Sequence, residues 1–330
     1  MYTTKDIAVV ILNWNGKPLL KQFLPSVIEH SEQAAIYIVD NASTDDSVGF
    51  VSKEFPKVVV LQNSENGGYA KGYNDALKNV KQPLLCLLNN DIEVTKNWLQ
   101  PILDDFNSNE NTAIIQPKIL DFKQKTYFEY AGAAGGFIDK YGYPFCRGRI
   151  FDTIEENKGQ YNDSIDIFWA SGACFFIKNK VFKSLNGFDE NYFAHMEEID
   201  LCWRAYNANY KVRYVGVSTV YHLGGATLSN TNPKKTYLNF RNSLFTLAKN
   251  TDSRVFSRTL LRMLLDGIAA LRFLFQLKPK YFLAVLKAHV SFYRNLGRIL
   301  KQRKQLAKRS SYYKINSIVW SYFIKKHKTF

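Results

Sequence analysis

The sequence predicts an α/β fold, a mostly parallel sheet flanked by helices, followed by a basic helical extension. Three observations carry this. Strand-like and helix-like runs alternate through the first ninety or so residues. The strand-like runs end on polar tips rich in Asn, Gly and Asp. The positive charge is segregated: residues 253–330 hold 18 Lys or Arg against a single acid, Asp266, while the whole chain nets +15.

The elements follow in order. Residues 7–14, IAVVILNW, are β-branched and apolar, as in a buried strand. Residues 18–31 place apolar side chains at 20, 23, 24, 27 and 28, one face of a helix. IYIVD at 36–40 is the second strand, and Ser43 with Asp46 after it resembles a helix start. VVVLQ at 58–62 is the third strand, 68–80 a helix, and 84–88 a fourth strand running into Asn89-Asn90-Asp91. Residues 113–250 are less regular, with a helix expected from about 197 to 207 and a strand after it.

In open α/β sheets ligands bind beyond the carboxyl ends of the strands. Four polar tips should therefore meet at one edge: Asn13-Trp14-Asn15-Gly16, Asp40-Asn41-Ala42-Ser43, Glu65-Asn66-Gly67-Gly68-Tyr69 and Asn89-Asn90-Asp91. A turn explains any one of them. Four together point to the rim of a polar-ligand site.

The chain has 330 residues, with 46% hydrophobic and 15% aromatic side chains, which excludes global disorder. Cys86, Cys146, Cys174 and Cys202 form no CxxC pair and read as buried thiols, not a disulfide frame or a zinc site. The first residues lack a basic segment followed by a cleavable apolar block, so no signal peptide is expected. Two units are expected: residues 1–252, near neutral, and the extension 253–330. Residues 258–275 are the most apolar part, but Arg262, Asp266 and Arg272 interrupt them, which suits an amphipathic helix at a membrane surface better than a span. Packing on the body or on a second copy is the structural alternative, so a homo-oligomer stays open. The long apolar stripe has no use against phosphates, and nucleic acid is not expected as a partner.

The stretches VVILNWNG, VDNASTDDS, NGGYAKGYNDAL and NGFDENYF, with Asn89-Asn90-Asp91 and the acid pair Glu197-Glu198, resemble family 2 glycosyltransferases. These are inverting enzymes with the Rossmann-like GT-A fold. The similarity is greatest to the rhamnosyltransferase-like branch that builds bacterial surface polysaccharides, and it covers about residues 5–250. It implies a nucleoside-diphosphate sugar donor, UDP- or dTDP-linked, with dTDP-rhamnose the first guess. It implies a lipid-linked or polysaccharide acceptor, and a cytoplasmic enzyme bound peripherally to the inner face of the plasma membrane through the extension.

The resemblance also implies roles for residues. Mg²⁺ or Mn²⁺ would be held by Asp91, with His222 from VYHLGGAT as a second ligand or a diphosphate contact. Gly224 and Gly225 would let backbone approach a phosphate, and Lys234, Lys235 and Arg241 would neutralise it or form a solvated cluster. Asp40 would read the base and ribose, with Asn13, Asn15, Asn41, Asn66, Gly68, Asn74, Asn89 and Asn90 around the donor. Glu198 would be the general base and Glu197 the first acid of the pair, with Glu197 and Asp200 open as alternatives. Trp169, Ser171, Gly172 and Asp200 would face the acceptor.

Overall fold

The computed structural model describes residues 1–31, 33–224 and 232–330. The first half alternates as expected: β1 (Ile7–Asn13), α1 (Lys17–His30), β2 (Ala35–Asp40), α2 (Ser47–Glu54), β3 (Val59–Gln62), α3 (Gly68–Leu77) and β4 (Leu84–Asn89). A short β5 (Ile92–Val94), α4 (Gln100–Ser108) and a long β6 (Thr112–Asp121) follow. Next comes a small sheet of β7 (Gly136–Ile138), β8 (Pro144–Cys146), β9 (Arg149–Ile150) and β10 (Thr153–Ile154). The chain returns to the main sheet through β11 (Ser164–Ile167) and β12 (Cys174–Lys178), with α5 (Asn179–Ser184) and α6 (Glu197–Asn207) before β13 (Lys211–His222). Three helices finish the chain: α7 (Pro233–Asn250), α8 (Val255–Phe275) and α9 (Pro279–Gln305).

The main sheet has the order β11-β13-β6-β12-β4-β1-β2-β3, with β5 paired to β13. The block β4-β1-β2-β3 is parallel throughout. β12 runs antiparallel between β4 and β6, and β13 runs parallel to β6. The carboxyl ends of β1, β2, β3, β4, β6 and β13 therefore share one edge, where β12 begins. Side chains of β1 alternate between two core layers, Ala8 and Val10 on one face and Ile7, Val9 and Ile11 on the other. That is why its sequence is apolar without a polar phase.

Two local expectations shift. The helix after β2 starts at Ser47 with Asp46 before it, not at Ser43. Ser43 instead takes the backbone N–H of Asn15 on its hydroxyl, at 2.9 Å. The stretch 233–250, within the irregular part of the sequence, is a continuous helix. Asn232 caps it by accepting from the Lys234 N–H at 2.9 Å, and Pro233 opens it.

The extension is stitched to the body. α9 packs along α7, and Gln302 donates to Asp189 at 3.0 Å. Farther on, the backbone of Ile318 donates to the fully buried carboxylate of Asp139, and Lys314 donates to the Ile138 carbonyl, both at 3.0 Å. No described helix is long and apolar enough to cross a membrane.

Candidate active site

The first half of the site forms where β1, β2 and β4 end. The Asn90 amide donates to Asn13 Oδ1 at 2.9 Å, joining the first and fourth tips. Gly16 makes this possible: a methyl group there would lie 2.3 Å from Asn13 Oδ1 and 2.4 Å from Asn90 Nδ2. Asp40 accepts the Ser43 N–H on Oδ2 at 2.9 Å, while its buried Oδ1 has no partner. A buried acceptor left open is costly unless something donates to it. Asn41 donates to Asn66 Oδ1 at 2.9 Å and to the Gly68 carbonyl at 3.1 Å, and accepts from Asn63, which the sequence did not single out. Asn15 adopts a left-handed backbone and caps the facing loop, accepting from Thr44 N–H at 2.7 Å.

The second half is centred on His222 at the end of β13. Its Nε2 lies 3.1 Å from Asp91 Oδ1 and its Nδ1 lies 3.3 Å from Glu129 Oε1, all three residues being buried. Asn89 Nδ2 stands 3.4 Å from the same Nε2. Burial opposes a charge on the ring, but Glu129 and Asp91 flank it and carry its pKa up to about 10. Glu129 was not legible as a site residue, because it sits in a loop with no motif around it. Gly225 lies outside the described residues.

The start of α6 adjoins these two halves. The preceding turn is strained: Phe193, His195 and Met196 all have positive φ. The Ala194 N–H bonds back to the Tyr192 carbonyl at 2.8 Å around Phe193, a γ-turn of the rare positive-φ kind. Asn242 of α7 holds this turn by donating to the carbonyls of Tyr192, Ala194 and His195 at 3.1, 2.9 and 2.7 Å. Gly68 meets it from the other side. Its φ is +79°, a methyl group there would lie 2.5 Å from the Phe193 carbonyl oxygen, and the next N–H, of Tyr69, donates to that oxygen at 2.9 Å.

The turn delivers Glu197 and Glu198 to the first turn of α6. Burial, then the neighbouring Glu198, pushes Glu197 well above the usual carboxyl range, and its Oε2 is buried without a partner. Burial also raises Glu198, opposed by backbone N–H groups at the helix start, to about 7. Gly172 leaves room beside it, since a methyl group there would lie 3.7 Å from the Glu198 carboxyl carbon. Tyr69 donates to the Gly172 carbonyl at 2.8 Å and forms the adjoining wall. A run of contacts links this part to His222: Glu129 accepts from Ala131 N–H, and the Ala131 carbonyl accepts from the Ser171 hydroxyl, next to Gly172.

Three expected residues are placed elsewhere. Asp200 is fully buried between Arg204 and Lys249, each at 2.8 Å, and both cations hold its carboxyl low against the effect of burial. Asn74 spends its amide on the backbone of Phe188, donating and accepting at 2.9 Å, so it clasps a loop instead of a donor. Trp169 is a core residue whose indole N–H donates to the Phe137 carbonyl at 2.7 Å. The basic group after His222 is also engaged: Arg241 donates to the Asn191 and Tyr192 carbonyls, and Lys234 lies over the Phe193 ring.

The profile of Glycosyl transferase family 2 matches residues 8–185, more than half of the chain and all four strand tips. The chain belongs to this family. A low-salt glycan biosynthesis hexosyltransferase, Agl10 of Haloferax volcanii, is 23% identical over 288 residues, which is 84% of this chain and 87% of that protein. An N-acetylglucosaminyl-diphospho-decaprenol L-rhamnosyltransferase of Mycobacterium tuberculosis is 23% identical over 234 residues, 66% of this chain and 76% of that one. Among solved structures, GalNAc-T7 with UDP, GalNAc and Mn²⁺ superposes with a TM-score of 0.60 at 17% identity, over 98% of this chain and 57% of that one. The mannosyltransferase PcManGT of Pyrobaculum calidifontis, with GDP-Man and Mn²⁺, gives 0.55 at 11% identity over 87% of each chain. The fold of this family 2 enzyme is thus that of the GT-A glycosyltransferases.

Proposed function

We propose that this transferase inverts the anomeric centre of a sugar that it moves from a UDP- or dTDP-sugar to a lipid-linked or polysaccharide acceptor. The observation that carries the reading is the run of contacts from the Asp91–His222 pair through Glu129, Ala131 and Ser171 to Gly172, where an added methyl group would lie 3.7 Å from the Glu198 carboxyl carbon. Asp40, with its open Oδ1, suits a donor N–H or hydroxyl of the base or ribose. Rhamnose on dTDP is the first donor to try, because a relative is named for rhamnosyl transfer to a polyprenyl-diphosphate acceptor.

The donor set fits a hard divalent cation. A carboxylate and an imidazole are both competent ligands, and Asp91 Oδ1 and His222 Nε2 are 3.1 Å apart, close enough to share one ion. The described residues hold no cluster of three protein ligands. Asp91 and His222 would therefore hold Mg²⁺ or Mn²⁺ together with the donor diphosphate, and the ion would offset the charge left on that diphosphate. His222 must shed its proton to ligate.

Glu198 takes the proton from the acceptor hydroxyl as its oxygen bonds the anomeric carbon. The bond from that carbon to the diphosphate breaks, and the diphosphate leaves with the electron pair. One base and no covalent intermediate give inversion. Gly172 and Tyr69 border the space where the acceptor meets Glu198. In this reading the basic extension would hold the enzyme at the cytoplasmic face of the membrane, beside a lipid-linked acceptor.

A screen of UDP- and dTDP-sugars for nucleotide release, with Mn²⁺ and with EDTA, tests this reading. Release from one donor class, abolished by EDTA, is expected. Full turnover in EDTA would remove the metal from the scheme.

A further inference from the structure

Helix α8 is inside out. Three of its four charged residues, Arg258, Arg262 and Asp266, are buried and only Arg272 is exposed, while Phe256, Leu260, Leu264, Ile268, Leu271 and Phe275 face outward. Leu264 is 59% exposed, Ile268 65% and Phe275 85%. The buried polar face is tied to the body by charge. Arg262 pairs with Asp266 at 2.9 Å, Tyr143 donates to Asp266 at 2.8 Å, and the Arg262 guanidinium lies over the Tyr143 ring. Ordinary surface helices do the opposite, and an apolar face of this extent marks a surface that meets something other than water.

Helix α9 continues the face. α8 and α9 lie side by side, with Phe273 near Tyr281 and Tyr293 donating to Met263 Sδ at 3.6 Å. Leu283, Leu286, Val290 and Tyr293 are exposed at alternating three- and four-residue spacing, with Leu300 seven residues on, a single stripe. Exposed Lys280, Lys287, Arg294 and Lys301 recur every seven residues beside it.

We infer that the α8–α9 hairpin lies flat in the surface of an anionic bilayer, its Leu264–Ile268 ridge among the acyl chains and its Lys280–Lys301 stripe against the headgroups. Charge selects this occupant over a second copy. Residues 253–330 carry one acid, and that acid, Asp266, is buried. Two copies meeting through this face would oppose cationic stripes with no carboxylate between them, whereas an anionic leaflet supplies both the apolar layer and the counter-charge. The inference rests on the membrane location proposed above, and binding without any substrate tests it, so it can fail while sugar transfer stands.

Flotation of the full-length protein with vesicles of phosphatidylcholine alone, and of equimolar phosphatidylcholine and phosphatidylglycerol, is the experiment. Wild type is expected to float with the anionic vesicles and to stay behind with the neutral ones. Leu264→Glu with Ile268→Glu, and separately Lys280→Gln with Lys287→Gln, are expected to lower the bound fraction at least about tenfold. Both should leave the melting temperature and donor hydrolysis unchanged, which certifies that they fold. Failure of wild type to float, equal flotation on neutral vesicles, or variants that float like wild type would each overturn the inference. So would a dimer of the wild type that the Glu variants disperse.

Discussion

Glu129 Oε1 lies 3.3 Å from His222 Nδ1, while the other ring nitrogen of His222 faces Asp91. A carboxylate behind a ligating imidazole fixes its orientation and raises its basicity. Glu129→Gln keeps the shape and loses the charge. Mn²⁺ affinity in the presence of nucleotide is expected to fall about 10- to 100-fold, read by titration calorimetry. Unchanged Mn²⁺ binding would reduce Glu129 to a loop-packing residue.

Glu198 offers a pH signature. A base must be ionised to take a proton, so kcat/KM should climb as pH rises through about 7 and level off above it. Glu198→Gln is expected to lower turnover at least about 100-fold and to abolish that limb. Donor binding, measured by calorimetry, should survive. A profile flat across this range would move the base to another group.

The same shift bears on stability. The folded carboxyl titrates above its ordinary value of 4.5, so proton binding favours the fold. That contribution is complete below about pH 4.5 and is lost as pH rises through about 7. Glu198→Gln cannot ionise. It should melt like wild type in acid and above wild type once pH exceeds about 8, a comparison that calorimetric scans across pH make directly.

Asn242 clamps three carbonyls of the strained turn before α6. Asn242→Ala is expected to cost about 1–3 kcal/mol of stability. It should also depress kcat about tenfold or more with little change in donor KM, because it frees the turn that aims Glu198 and not the nucleotide half. An increase confined to donor KM would contradict this placement.

Gly16 sits on the opposite half. Gly16→Ala would drive a methyl group into the Asn13–Asn90 bond. Donor affinity should weaken about tenfold, the cost of roughly one such hydrogen bond, with the pH limb of Glu198 intact. Competition binding with dTDP and UDP reads this out.

The strand tips and the helix that opens with Glu197 and Glu198 were legible because they announce themselves locally. A β-branched run ending on Asn or Asp is a strand reaching a sheet edge, and the acids of α6 open their helix where expected. Direction around an element was harder to read. Asp200 follows Glu198 by two residues, about 200° around the helix, and so points into the body toward Lys249. Asn74 and Trp169 lie beside the matching stretches but turn their polar atoms to backbone. The amphipathic period of α8 was visible, yet a period does not say which face meets the protein. That needed the partners of Arg262 and Asp266, which lie far away in sequence. Helix α7 carried a cap and an opening proline, and its run was masked by polar residues that turn out to be buried clamps.

The bond from Ile318 to Asp139 spans 179 residues. The strand it seals is therefore made long before its cover, and closure of that flank cannot begin from local pairing. Contacts of such separation form late and slowly. A chain arrested before residue 312 would hold every strand tip of the candidate site and still leave the small sheet without this cover, a partly finished molecule with its flank unguarded.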